Sequence, residues 1–465
     1  WWGHRIPVFY CDECDEKWVS KEVPQECPKC GSSDIRQDED VLDTWFSSAL
    51  WPFSTMGWPE KTELLSEYYP TSVLITDRGI IFNWVARMIM MGLKFMDKKP
   101  FFDVYIHGTI LDEIGRKMSK SLGNGIDPIE MADKYGADAV RFSLISLTTF
   151  GQDISLSENK FQMGRNFSNK IWNAMRFILM NINESVEYVD EFDQRTPFDK
   201  WIYSRFSQAA KKMKAALDEY NFSEYADTLY HFFWDEFCDW YIEASKKNLD
   251  KKETLQNLLY IAKRFLIYLN PAMPVLSEVL YDYLPKSFRS DTGIMDEPVF
   301  MPKKDDIDIS GEELMASILE WITAVRRSRK EFNIKPSSEL KVILQTDKKT
   351  EGLMFLMKEE LTTFVKASAL DFTMTEKPGS SINVIIKGIT SYIPAQGLID
   401  IEKERSRLKD QRAEVDKFIS MSENKLSNKN FVSKAPKSVV EGVRETLKSN
   451  QELLKRIEEN LESIQ

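Results

Sequence analysis

Positive charge is in short supply in this chain. Its 62 Lys and Arg residues are outnumbered by 73 Asp and Glu, a formal net charge of −11 over 465 residues. That balance argues against indiscriminate electrostatic binding to nucleic acid, so any RNA partner must be met by local basic patches. Long uninterrupted apolar runs are also missing. The most apolar stretch, Ile80 to Met96, carries Asn83, Arg87 and Lys94 and is not read as a membrane span. No signal peptide opens the chain. It begins Trp1-Trp2-Gly3 without a starter Met, and reads as the C-terminal half of a longer polypeptide. Histidine is limited to His4, His107 and His231, and cysteine to five positions, in what reads as a cytoplasmic protein.

What is present is ordinary for a soluble globular protein: 43% hydrophobic and 29% charged residues. The length allows about three or more domains, each large enough to bury a core. Four of the cysteines form two Cys-x2-Cys pairs, Cys11 with Cys14 and Cys27 with Cys30. Thiolates at this spacing let two knuckles fold around one tetrahedral Zn²⁺. With every position filled by sulfur, no coordination site is left for a substrate or an activated water, so the zinc is read as structural. Its removal should unfold residues 8 to 36. Two disulfides, or a ribbon without metal, are the alternatives.

The most particular stretch is Lys117-Met118-Ser119-Lys120-Ser121, a loop between Gly115 and Gly123. It follows the short β-branched and aromatic run Asp103 to Gly108 and precedes Asp127-Pro128, a helix N-cap with proline at the first position. The lysines therefore lie beyond a strand's carboxyl end, where open sheets bind ligands. Attack at the α-phosphorus of ATP builds charge on the departing pyrophosphate, and preplaced ammonium groups stabilise that charge more than the ground state. A solvated Lys/Ser loop with no ligand is the plain alternative.

With Asp112-Glu113 and Gly115-Arg116 before it and Leu122-Gly123-Asn124 after, this string resembles the second signature of the class I aminoacyl-tRNA synthetases. The resemblance implies that Lys117 and Lys120 act in adenylation, and that His107, Gly108, Lys117, Met118, Ser119, Lys120 and Ser121 line the ATP site, with Mg²⁺ accompanying the nucleotide. The opening Trp1-Trp2-Gly3-His4-Arg5-Ile6-Pro7, the run Asp40 to Ser48 and the run Trp51 to Pro59 look like the valine-specific branch of that family. Nearly the whole chain fits that branch. It implies L-valine, ATP and tRNA(Val) as partners, no membrane, and a monomeric full-length enzyme. By the same resemblance Trp45, Ile80 and Trp84 wall the amino-acid pocket, where rigid bulky walls suit a small branched substrate. For each of the three, ordinary core packing is the alternative.

Two departures follow from the resemblance. Relatives carry Gly-x-Asp at the head of the helix after the strand at Ser72 to Thr76, and the acid contacts the ATP ribose; here the register reads Asp77-Arg78-Gly79. Arg78 is then free to face phosphate or RNA. The first family signature, His-x-Gly-His, is not in the chain, nor is a recognisable editing domain, and both are expected upstream of Trp1. Alone, the chain is expected to hold half an adenylation site.

The expected fold is α/β plus all-α. Residues 1–40 hold a zinc ribbon and 41–160 the second half of a Rossmann-type catalytic domain, in which the buried strand Ser72 to Thr76, the helix Ile80 to Met96 and the strand at Asp103 form a βαβ unit. A helical anticodon-binding bundle spans 161–290, with Phe233, Phe237 and Tyr241 on one core stripe. Residues 291–395 form a small α/β module whose helix carries Arg326, Arg327, Arg329 and Lys330 and ends near Lys335-Pro336. Arg326 and Arg327 are candidate tRNA contacts, or part of a solvated face. In 396–465, Val440, Val443, Leu447, Leu454, Ile457, Leu461 and Ile464 recur in steps of three and four, with a weaker earlier run from Ile401 to Leu426. An antiparallel coiled coil is predicted, with Lys425, Lys429, Lys434 and Lys437 at its tip as candidate contacts to the tRNA backbone; an oligomerising coil is the alternative. Noncatalytic zinc-dependent tRNA binding and an isoleucine-specific synthetase are the two competing readings.

Overall fold

Two parallel strands carry the lysine loop. Thr71–Asp77 and Phe101–His107 pair in register from Thr71 opposite Phe101 to Asp77 opposite His107. Parallel neighbours need a crossover, and the segment from Arg78 to Met96 supplies it. Leu74, Val85, Met88 and Phe101 form the core between strands and crossover, with Trp84 and Ile89 against it. The computed structural model describes residues 2–149, 151–182, 186–188, 191–372, 379–428 and 437–463. It divides into two compact units, Trp1–Asn169 with Met213–Asp227, and Lys170–Lys212 with Thr228–Gln465.

The first unit departs from expectation in two places. The strand Thr71–Asp77 is not buried throughout: Leu74 and Thr76 point inward, while Ile75 is 59% exposed. The crossover covers one face of the pair, so the strand alternates rather than reading as continuous core. The helix expected from Ile80 begins instead as a 3₁₀ turn, Arg78–Ile80, then a π-helical turn, Ile81–Val85, and becomes α-helical at Ala86–Met96. Asp77 starts the tight turn by accepting from the Gly79 N–H at 2.6 Å, and the wider turn after it brings the Trp84 indole to the Ser48 carbonyl at 3.1 Å. By length and mean hydropathy, 1.3, the run Arg78–Met96 passes for a membrane span. Its changes of pitch and its return to one strand ladder make it a crossover instead.

Near the N-terminus, Val8–Cys11 lies between Lys17–Val19 and Ile35–Gln37 in an antiparallel sheet that places Cys11 at a strand end.

The second unit is helical and then mixed. Lys252–Leu269 is buried on every side from Leu255 onward apart from Gln256, as expected of a central helix. Phe233, Phe237 and Tyr241 form the predicted core stripe, and Phe233 stacks on Phe265 at 4.2 Å between ring centroids. A mixed four-stranded sheet runs Ser381–Ile386, Ile389–Pro394, Leu340–Gln345, Ala367–Asp371 across its width. The helix Ile309–Glu331 packs on it, anchored by the fully buried Trp321, whose indole donates to Ser391 Oγ at 3.0 Å. That helix stops at Glu331, short of the expected Lys335-Pro336. Asn333 takes a left-handed conformation (φ 48°), and the Ile334 N–H closes back on the Arg329 carbonyl. The tail helices Ile401–Ser427 and Lys437–Ser463 lie side by side and antiparallel, Arg412 reaching Glu458 at 2.8 Å. Leu408, Val415, Ile419, Val440 and Ile457 are buried along their seam. Ile464 lies outside the described residues.

Candidate functional site

The lysine loop is built on Asp112. After Phe101–His107 the chain makes a close pass at Gly108, where an added Cβ would sit 1.8 Å from the Gln152 carbonyl oxygen, so only glycine fits. Ile110–Leu111 then pairs with Ile154–Ser155, and Lys117 returns to bridge Leu111. The Asp112 carboxylate sits inside this turn. It accepts from the backbone N–H groups of Arg116 at 2.7 Å and Ile114 at 3.2 Å, from Arg116 Nε at 2.8 Å and from Asn124 Nδ2 at 2.9 Å. Asn124 completes the bracket: its Oδ1 accepts from the Ser119 N–H at 2.9 Å, and its Nδ2 also donates to the Lys117 carbonyl at 3.4 Å. The Asn124 amide, then the Arg116 N–H, hold the Asp112 carboxyl down at about 2.

Within the loop the side chains divide. Met118 is half-buried against a cluster of Met131, Val140, Leu156 and Phe161. Ser119 Oγ caps the turn Lys120–Leu122 by accepting from the Leu122 N–H, and lies 3.2 Å from Ser121 Oγ. Lys117 and Lys120 are exposed and enter no ion pair among the described residues. Asp127 caps the next helix as expected, accepting from Ile129 and Glu130 N–H.

At the ends of the paired strands, His107 is exposed and its Nδ1 lies 3.0 Å from the Gly108 carbonyl. Asp77 is held below the usual carboxylate range, first by the Gly79 N–H and then by Thr109 Oγ1, with Lys117 among the nearby charges. Arg78 does not stand free for phosphate or RNA. It pairs with Asp153 at 2.7 Å, and Asp153 also accepts from the Thr109 N–H, so the two arms of the site are tied together here. Trp45, Ile80 and Trp84 are all half-buried. Trp84 is fixed by Ser48 and by Trp51, 6.0 Å away between ring centroids, both on the helix Thr44–Ser54 that carries Trp45.

The four cysteine sulfurs all lie within 4.8 Å of one another. Cys11 and Cys30 are 3.6 Å apart, as are Cys14 and Cys27, too far for a disulfide. A tetrahedral ion with bonds of about 2.3 Å places its sulfurs about 3.8 Å apart, so the cluster fits such an ion. Burial raises the Cys27 thiol, yet the N–H groups of Cys30 and Lys29, together with the neighbouring Cys14 and Cys30 sulfurs, bring the group down to about 7.

The basic helix keeps Arg326, Arg327 and Lys330 exposed, but two of its arginines are engaged within the fold. Arg326 donates to the Phe364 carbonyl at 2.9 Å, with its guanidinium 5.3 Å from the Phe364 ring and 5.5 Å from Trp240. Arg329 donates to the carbonyls of Ser338, Lys335, Val365 and Lys366. Both are spent on the C-terminus of the helix Lys358–Val365 and its surroundings, where orphan carbonyls need donors. Arg326 is therefore engaged by a carbonyl and two rings although its side chain remains exposed, as Arg327 and Lys330 are. Lys429, Lys434 and the side chain of Lys437 lie outside the described residues. In the helical part of the second unit, Trp172, Arg176, Leu179, Met180, Leu280 and Tyr283 surround an apolar hollow of about 290 Å³. Trp172 meets Tyr283 edge to face.

Residues 1–157 match the family profile of class I tRNA synthetases (I, L, M and V), 199–344 that of the anticodon-binding domain of tRNA ligase, and 400–465 that of the valyl tRNA synthetase tRNA-binding arm. The chain is 45% identical over 468 residues to the valine-tRNA ligase of Thermotoga maritima, covering 100% of this chain and 53% of that protein. It is 44% identical over 455 residues to the valine-tRNA ligase of Carboxydothermus hydrogenoformans, covering 96% and 51%. Along its whole length the chain is similar to valine-tRNA ligases. It spans about half the length of the curated relatives it matches. A crystal structure of an Agrobacterium radiobacter K84 LeuRS, in ternary complex with tRNA and LeuAMS, aligns with a TM-score of 0.56 at 19% identity, covering 73% of this chain and 48% of that one; the likeness is one of fold. Valine, rather than isoleucine, is the specificity that the curated relatives carry.

Sequence reasoning missed the residues that hold the others in place. Asp112 and Asn124 were visible only as flanks of the K-M-S-K-S string; the signal was a carboxylate and an amide bracketing a glycine-flanked loop. Trp51 was visible only as the first residue of the run Trp51 to Pro59, and Asp153 gave no signal, because its partners are far off in the chain. The hollow at Trp172 reads in sequence as one more amphipathic face.

Proposed function

We propose that this chain supplies the loop half of an adenylation site, and the RNA-binding modules, of a valine-tRNA ligase. A valine carboxylate oxygen attacks the α-phosphorus of ATP; the new O–P bond forms as the bond to the bridging oxygen breaks, giving valyl-adenylate and pyrophosphate. A tRNA(Val) hydroxyl then attacks the acyl carbon and AMP leaves. Lys117 and Lys120 face the departing pyrophosphate, where ammonium groups lower the barrier. Met118, Asp112 and Asn124 fix the base from which those lysines reach. His107, Gly108, Ser119 and Ser121 border the nucleotide, whose Mg²⁺ offsets phosphate charge, and Trp45, Ile80 and Trp84 form the amino-acid wall.

Cys11, Cys14, Cys27 and Cys30 hold structural Zn²⁺, which clamps the two knuckles of the ribbon. Five working segments follow: ribbon 1–40, catalytic half 41–160, anticodon bundle 161–290, α/β module 291–395 and coiled-coil arm 396–465. Exposed Trp172 and Tyr283 with Arg176 suit stacking of an unpaired base in the bundle. The full enzyme is a cytoplasmic monomer.

The observation that carries this reading is the Asp112–Asn124 bracket presenting two unpaired lysines, in a chain 45% identical to a valine-tRNA ligase. The test is amino-acid-dependent ATP–pyrophosphate exchange with valine, isoleucine and threonine, for this chain alone and joined to the first half of a relative. Valine-driven exchange only in the joined form is expected. No exchange in either form overturns the catalytic reading and leaves a tRNA-binding protein.

A further inference from the structure

The four cations of the helix Ile309–Glu331 fall into two pairs. Arg326 and Arg329 share one side of the helix and are consumed by carbonyls and rings. Arg327 and Lys330 share the next side, about 100° around. Both form no ion pair among the described residues, in a chain whose net charge is −11. They open onto a groove of about 390 Å³ between this helix end and the root of the paired tail helices, with the amides of Asn333, Gln411 and Asn460 on its walls.

The groove is held in shape. Arg407, on the first tail helix, donates from Nη2 to the Glu331 carbonyl at 2.7 Å, and from Nε to both Glu404 oxygens at 3.0 Å. Arg407 is therefore neutralised by Glu404. Glu331 is the acid among the lining residues, so Arg327 and Lys330 leave the groove with one net positive charge. No aromatic ring lines it, so nothing there can stack a base.

We propose that this groove at the root of the arm binds the phosphate backbone of tRNA, with Arg327 and Lys330 each on a phosphate. The inference rests on the tRNA-binding reading above, because the groove is continuous with the tail that matches a tRNA-binding arm. Two point charges and amide donors, without stacking or a base-edge reader, make the contact independent of RNA sequence. It adds affinity and salt dependence but no discrimination. A tRNA gripped at this root is positioned by the fold of the module rather than by the arm's tip alone.

The test is the salt dependence of tRNA binding by the full chain, using a tRNA(Val) transcript and a second tRNA of unrelated sequence. Each phosphate contact contributes about 0.7 to 0.9 to the slope of log affinity on log salt. The double variant Arg327→Gln/Lys330→Gln is expected to lower that slope by about 1.4 to 1.8 for both RNAs, with the thermal midpoint unchanged. The control Lys341→Gln/Lys387→Gln removes the same charge from the sheet, where each lysine sits in a surface ion pair, and should leave the slope alone. An unchanged slope in the groove variant, an equal fall in the control, or a fall confined to tRNA(Val) overturns the proposal. If the unsubstituted chain binds no tRNA, the underlying reading fails with it.

Discussion

Two stretches of this chain concentrate cations, and they dispose of them in opposite ways. In the loop around Lys117 and Lys120, the backbone groups are satisfied by a carboxylate and an amide, Asp112 and Asn124, so the lysines have no structural work. In the helix around Arg326, a neighbouring helix ends with carbonyls lacking helical partners, and two arginines are drawn in to serve them. A cation's spacing in sequence does not say whether it is free. What decides is whether the backbone near it still lacks donors, and whether an uncharged or acidic side chain has met that need first.

The comparison can be broken at either end. The largest effect is expected for Lys120→Ala in the joined enzyme: a fall of about 100-fold or more in valine-dependent pyrophosphate exchange, with no shift in the thermal midpoint. A matching loss of stability would mean the lysine is structural after all. Next in size is Arg326→Ala, which forfeits one carbonyl contact and two ring faces and should cost about 2 kcal/mol in chemical denaturation. Arg326→Lys should recover less than half, since an ammonium cannot keep a planar group near both rings and the carbonyl. Wild-type stability in Arg326→Ala would return Arg326 to the list of free cations.

How much of this was legible follows the same division. The loop could be read because its parts are consecutive: the glycines, the lysines, the strand before and the Asp127-Pro128 cap after all fall within one stretch. The cysteine cluster was legible for the same reason, two local pairs whose chemistry demands convergence. The second tail helix was legible by its regular apolar period, and the first less so, because Arg405, Arg412 and Ser422 interrupt its pattern. The contacts of Arg326 were not legible, because Trp240 and Phe364 come from elements remote in sequence. The turn at Arg78 was misread because its pairing with Asp153 joins strand ends from two separate sheets, which only the folded chain brings together. The partial exposure of Ile75 had no local signature either: a β-branched run reads alike whether one or both faces are covered.

The smallest effect isolates the bracket itself. The Asp112 carboxyl is held near 2, below its reference value of 3.8, by donors that favour the ionised form. A depressed folded-state value means that this contribution to stability is full above the reference value and is lost as the pH falls toward about 2. Asp112→Asn removes the charge while keeping the shape, so its thermal midpoint should lie below that of the unsubstituted chain at neutral pH. The gap should narrow as the pH drops below about 4, where the native carboxyl begins to lose its own advantage. A gap that stays constant down to pH 3 would show that the carboxylate's charge is not what holds the loop. The burden would then pass to Asn124, whose amide can be tested by Asn124→Ala at a fixed pH.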